Sequence, residues 1–164
     1  MVTIREATSG DSGAIWNILK LVIREGKTYA LDRDMLQSNA LMFWMSDDKK
    51  TFVAEDDELG LIGTYFLKSN QSGGGAHVCN CGYVTAEAAR GKGIARQMCE
   101  HSLKVACDLG YRAMQFNCVV STNIGAVKLW KRLGFDIVGT LPGAFNHPDE
   151  GDVDAYVMYQ KLAP

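Results

Sequence analysis

The feature that most constrains this chain is a change of hydrophobic period across one glycine turn. "HVCNCGYVT" (77–85) alternates as a strand does. After "RGKGIA" (90–95), the residues Ile94, Ala95, Met98, Cys99, Val105, Ala106 and Leu109 fall on one broad helical face that ends at Gly110. A strand, a glycine turn and a helix together turn helix N-terminal amides outward, where they favour an anion. The six residues Arg90, Gly91, Lys92, Gly93, Ile94 and Ala95 are therefore a candidate phosphate cradle, and on their own they also suit an ordinary helix-starting turn. No GxxxxGK[ST] is present, the GxGxxG pattern is incomplete, and no acidic residue closes a βαβ unit, so neither a P-loop nor a dinucleotide fold is indicated.

The rest of the chain gives the turn its setting. "VTIREA" (2–7) reads as a strand, and Ile15, Ile18, Leu19 and Val22 form a helical face stopped by Gly26. A short second helix places Leu36, Ala40, Phe43 and Trp44 on one face and ends at "SDDKK" (46–50). "TFVAED" and "LIGTYFLKS" read as a hairpin, and "NQSGGGA" (70–76) as a flexible connection into the strand before the turn. Beyond the long helix come a strand (111–120), a helix with Ala126, Leu129, Trp130 and Leu133 on one face, a strand "DIVGTL", a long polar loop "PGAFNHPDEGDVDAY" (142–156) and a closing strand.

With 164 residues, 47% of them hydrophobic, the expectation is one domain spanning 1–164. A net charge of -2 with no basic stripe speaks against nucleic-acid partners, and no apolar run reaches membrane-spanning length. The charged opening "MVTIREATSGD" lacks the apolar core of a secretory leader, and five cysteines without paired CxxC spacing read as thiols in a reducing compartment; both predict a cytoplasmic protein. His77, Cys79 and Cys81 share one strand face and invite a zinc reading, but no fourth ligand is evident, so no metal is expected.

Arg90, Gly93 and Ala95 fill the fixed positions of [QR]xxGx[GA], and "NIGAVKLWKRLGF" is similar to a second signature, NxxAxxL[YW]xxxGF. On these motifs the chain resembles the GCN5-related N-acetyltransferases over nearly its whole length. The resemblance implies an α/β (α+β) fold: a mixed sheet of about seven strands flanked by about four helices, splayed at strands 4 and 5. It implies acetyl-coenzyme A as cosubstrate, with Gly82, Tyr83 and Val84 pairing through backbone groups with the pantetheine arm, a backbone N–H near Val84 polarising the thioester, and Asn123 contacting the coenzyme; Asn123 also suits a plain N-cap. Where many relatives carry a tyrosine acid this chain has Trp130, whose N–H is not an acid near neutral pH. Family members often dimerise, so a homodimer goes with the resemblance although no segment specifies an interface.

"GKTYA", "GTYFLKSN", "HVCNCGYV", "QFNCVVSTN" and "DVDAYVMYQKL" look like fungal acetyltransferases acting on proline analogues such as azetidine-2-carboxylate. That narrower likeness places Asn80 and Asn117 at the acceptor site, where an amide can hold the acceptor nitrogen or a water. Glu25 and Tyr29, between the first two helices, are candidate acceptor contacts, and His77 is a candidate base or a structural histidine. The expected reaction is direct acetyl transfer to a small amine, an amino or imino acid. The alternatives are acetylation of protein N-termini or lysines, and a coenzyme-binding sensor without turnover.

Overall fold

The computed structural model describes residues 1–163. In chain order the elements are β1 (Val2–Glu6), α1 (Ser12–Glu25), α2 (Gln37–Trp44), β2 (Lys50–Asp56), β3 (Gly60–Ser69), β4 (Val78–Thr85), α3 (Ile94–Asp108), β5 (Ala113–Val120), α4 (Ile124–Arg132), β6 (Asp136–His147) and β7 (Gly151–Lys161). The strands form one seven-stranded sheet in the order β1-β2-β3-β4-β5-β7-β6. Every neighbouring pair is antiparallel except β4 and β5, which run parallel because α3 carries the chain back across the sheet.

Strand alternation sends side chains to two cores. Val53, Phe66 and Val84 pack under α1 and α2 with Ile15, Leu19, Ala40 and Trp44. Phe52, Tyr65, Cys79, Cys81, Met114 and Phe116 pack under α3 and α4 with Met98, Cys99, Val127 and Trp130. Gly26 stops α1 in a left-handed conformation (φ 66°), with its N–H donating to Val22 O, as the sequence pattern requires.

Four expectations change. Leu36 is not on the buried face of α2: it precedes the helix in extended conformation at 66% exposure, and Phe43 is also exposed, leaving Ala40 and Trp44 to pack. Leu109 lies beyond α3 and is exposed rather than part of its face. "NQSGGGA" is not a free linker, because Gly73–Gly75 forms a 3-10 turn held by Gly75 N to Ser72 O and Ala76 N to Gly73 O. Residues 142–156 are not a polar loop but the two sides of the β6–β7 hairpin, whose register runs to His147↔Gly151. As the sheet's last strand, β6 buries only Phe145 and His147, so its second half carries no run of apolar alternation and reads as loop, whereas "DIVGTL" reads as strand.

Candidate active site

β4 and β5 are eight residues each, yet they pair only at Val78↔Ala113 and Cys79↔Met114 before separating. On the other edge of β4, Asn70 N donates to Val78 O and Ala86 N to Ile62 O, both at 2.8 Å. Antiparallel alternation then assigns the backbone groups of even-numbered β4 residues to β3 and those of Cys81, Tyr83 and Thr85 to the open edge. This corrects the expected donors. Gly82 and Val84 spend their backbone groups on Phe66 and Thr64 of β3, while Cys81, which the sequence reading passed over, faces the splay. Alternation counted along "HVCNCGYVT" could have found it once the pairing edge was known.

A cavity of about 990 Å³ opens at the splay. Arg90, Gly91, Gly93, Ile94 and Ala95 border one end, together with Asn123, Ala126, Leu129 and Trp130 of α4. Glu25, at the end of α1, stands beside Arg90, while Lys27 and Tyr29 from the segment after α1 border the cavity further along with Asn80 and Asn117 from the two splayed strands; Gly82, Tyr83 and Val84 line it between. Two predicted site residues are not brought in. Lys92 does not border the cavity, and His77 lies at the paired end of β4, where its carbonyl accepts from Arg112 N at 2.8 Å. Cys79 and Cys81 are buried under α3, and the described residues contain no cluster of three or more His, Cys, Asp or Glu that could hold a metal.

Gly91 and Gly93 both adopt φ 77°, and a Cβ at either would meet nothing within 4 Å. The turn therefore leaves its amides uncovered at the start of α3, where the helix dipole favours an anion. Arg90 stands beside it, with Nη2 3.8 Å from the Glu25 carboxylate. Asn123 occupies the N-cap position of α4 without a side-chain capping bond, so capping does not claim its amide.

Hydrogen bonds organise the opposite end. Tyr29 OH donates to Tyr83 O at 3.0 Å, and burial pushes its phenol above the ordinary tyrosine range, so it stays a donor at neutral pH rather than a base. Asn80 Nδ2 donates to Gln115 O at 2.9 Å, and its Oδ1 has no protein partner among the described residues. Asn117 is held on both sides, accepting from Gln115 Nε2 at 2.9 Å and donating to Asn70 Oδ1 at 2.7 Å. Trp130 stacks at 5.2 Å on Tyr83 and 5.1 Å from Phe116, a packing role with one side on the cavity.

A parallel strand pair parted over an amide-lined turn is an architecture that known sequences share. The sequence model of the "Acetyltransferase (GNAT) family" matches residues 15–135. The chain belongs to this family. Over 158 residues it is 31% identical to N-acetyltransferase aca1 of Schizosaccharomyces pombe, covering 87% of this chain and 75% of that protein. A GCN5-related N-acetyltransferase structure from Kribbella flavida superposes with a TM-score of 0.94 at 38% identity, covering 98% of each chain. The fold is also that of yncA from Salmonella typhimurium, solved with acetyl-CoA (TM-score 0.87, 21% identity, 100% of this chain and 95% of that one). These GNAT relatives establish the seven-stranded fold and the enzyme class, an N-acetyltransferase.

Proposed function

We propose that this GNAT protein, acting as one domain over residues 1–164, transfers acetyl from acetyl-coenzyme A directly to the amine of a small molecule, an amino or imino acid, proline analogues included. The observation that carries the reading is the opened β4–β5 edge with an uncovered amide turn at its mouth. The residues present fit the coenzyme: Gly91, Gly93, Ile94 and Ala95 would hold its diphosphate through backbone N–H groups, with Arg90 as countercharge, and Asn123 would contact the arm. When bound, the coenzyme supplies a thioester, an acyl group activated toward amines.

The chain's own residues then orient and polarise. A backbone N–H on the open edge of β4 would serve as the donor to the thioester oxygen, where negative charge develops in acyl transfer. Asn80 Oδ1 and the Asn117 amide offer an acceptor and a donor to the amine or to a water. Neither amide is a base, so as the C–N bond would form and the C–S bond break, the amine's proton would pass through water to solvent and the released thiolate would take up a proton from solvent. Glu25, 3.8 Å from Arg90, and Lys27 line the same cavity with one carboxylate and one ammonium, groups that can meet the two charges of an amino acid. Lys27 also bonds Asp149 at 3.1 Å, tying this wall to the β6–β7 turn. The likeness to aca1 supports N-acetyl transfer, and free thiols such as exposed Cys118 suit the cytoplasm as its location.

The test is release of free thiol from acetyl-coenzyme A across amino acids, proline analogues, polyamines, aminoglycosides and short peptides. Turnover with free amino or imino acids supports the reading. Reaction with peptides alone would shift it to protein N-termini or lysines, and tight calorimetric binding with no turnover on any acceptor would make the protein a coenzyme sensor.

A further inference from the structure

We propose that Asn80 is a positioning residue that props the splay open: its side-chain amide takes the β5 carbonyl that the Cys81 N–H would otherwise bind, leaving that N–H for the acyl oxygen. The second half of this statement rests on the acetyl-transfer reading above; the first half does not.

The ladder itself carries the argument. Arg112 N donates to His77 O, so the odd-numbered residues of β4 are the ones that bond toward β5. After Val78↔Ala113 and Cys79↔Met114 the next rung of a parallel register joins the Cys81 N–H to the Gln115 carbonyl. That rung is missing, and the Gln115 carbonyl accepts from Asn80 Nδ2 at 2.9 Å instead. A half-buried carbonyl seeks a donor, and a side-chain donor one residue ahead of the competing N–H satisfies it without closing the strands. A carbonyl on the facing β4 edge is also covered by a side chain, because Tyr83 O accepts from Tyr29 OH at 3.0 Å. With two carbonyls of the splay covered by side chains, the N–H groups of Cys81 and Tyr83 are left facing the cleft. Such an edge is prepolarised for a ligand oxygen.

The first measurement is amide hydrogen exchange of Cys81 by NMR on the full chain without coenzyme, in the wild type, Asn80→Ala and the isosteric Asn80→Asp, which has no donor to give. Protection of the Cys81 N–H should rise about tenfold in the variants as the missing rung forms. Unchanged exchange in a folded variant overturns the wedge, whatever the activity does. The second is the infrared carbonyl stretch of 13C-acetyl-coenzyme A on the protein, with its acceptor-independent hydrolysis. Wild type should lower the stretch, and the variants should lose that shift and slow hydrolysis on the order of a hundredfold, the effect of losing one oxyanion donor. Variants that raise only the acceptor KM, with stretch and hydrolysis intact, would make Asn80 an acceptor contact and overturn the positioning role. Absence of coenzyme binding to the wild type would defeat the acetyl-transfer reading while Cys81 exchange still decides the wedge.

Discussion

Two glycines of the site are glycine for opposite reasons, and substitutions separate them. Around Gly93 the space is empty, and what the residue gives is a left-handed turn (φ 77°) with a bare amide. Gly93→Glu should therefore fold, at a cost of about 1–2 kcal/mol for a side chain at positive φ, and should lose coenzyme affinity by at least about tenfold through bulk and negative charge. Calorimetry with coenzyme A decides it, and retained affinity would refute the cradle. At Gly82 a Cβ would stand 2.7 Å from Phe66 Cε1 and 2.9 Å from Tyr29 OH. Gly82→Ala should cost about 1–3 kcal/mol by overpacking and should move Tyr29 off the Tyr83 carbonyl, raising the acceptor KM more than the coenzyme Kd. Equal denaturation midpoints for variant and wild type would remove the packing argument. The need for glycine at 93 was legible in the sequence because a turn opening a helix shows itself in consecutive residues. The need at 82 was hidden, since it comes from Phe66 and Tyr29, side chains that only folding brings there.

The elements divide the same way. Helices α1, α3 and α4 were legible because each buries one stripe and ends at a glycine, and the β2–β3 hairpin because two apolar runs flank a charged turn that holds Gly60. The second half of the outer strand β6 was not, since its edge position leaves it mostly polar and exposed, and neither was the end of the β4–β5 ladder, which depends on an asparagine side chain meeting a carbonyl 35 residues away. A buried polar link fixes α2 to the sheet and likewise escaped the sequence reading: Thr64, fully buried, donates to Phe52 O at 2.8 Å and accepts from Trp44 Nε1 at 3.0 Å. Thr64→Val keeps the shape and leaves the Trp44 indole N–H without an acceptor in a dry core. It should destabilise by about 1–3 kcal/mol in urea unfolding, the cost of an unsatisfied buried donor. A change under a few tenths of a kcal/mol would show that the bond contributes nothing net.

At the scale of the whole molecule, acid should weaken the fold in two separate windows, because two groups are held away from their ordinary ionisation in different senses. His101 on α3 shares a hydrogen bond between its Nδ1 and the buried Tyr65 OH at 2.8 Å, and burial, with Lys104 nearby, lowers its pKa. A lowered histidine pKa means that the unfolded chain takes the proton first, at about pH 6.5. Stability is then complete above that pH, falls as pH drops toward the folded value, and levels off below it. Asp11 ties the chain entering α1 to β1 through Arg5 (2.9 and 3.0 Å), which with the Thr8 N–H holds its carboxyl down at about 2. Its contribution is present above the unfolded value of about 3.9 and is lost as pH falls toward 2. With Asp11 12% exposed but Arg5 37% exposed, the pair contributes about 0.2–1 kcal/mol after screening. Urea midpoints measured from pH 8 to pH 2.5 should show both declines. His101→Gln should flatten the one just below pH 6.5 and leave the acid one, while Asp11→Asn should lower stability at pH 7 and converge on wild type near pH 2. A His101→Gln variant that keeps the full wild-type slope between pH 7 and pH 5 would mean that the proton is taken up elsewhere, and that burial does not hold this histidine neutral.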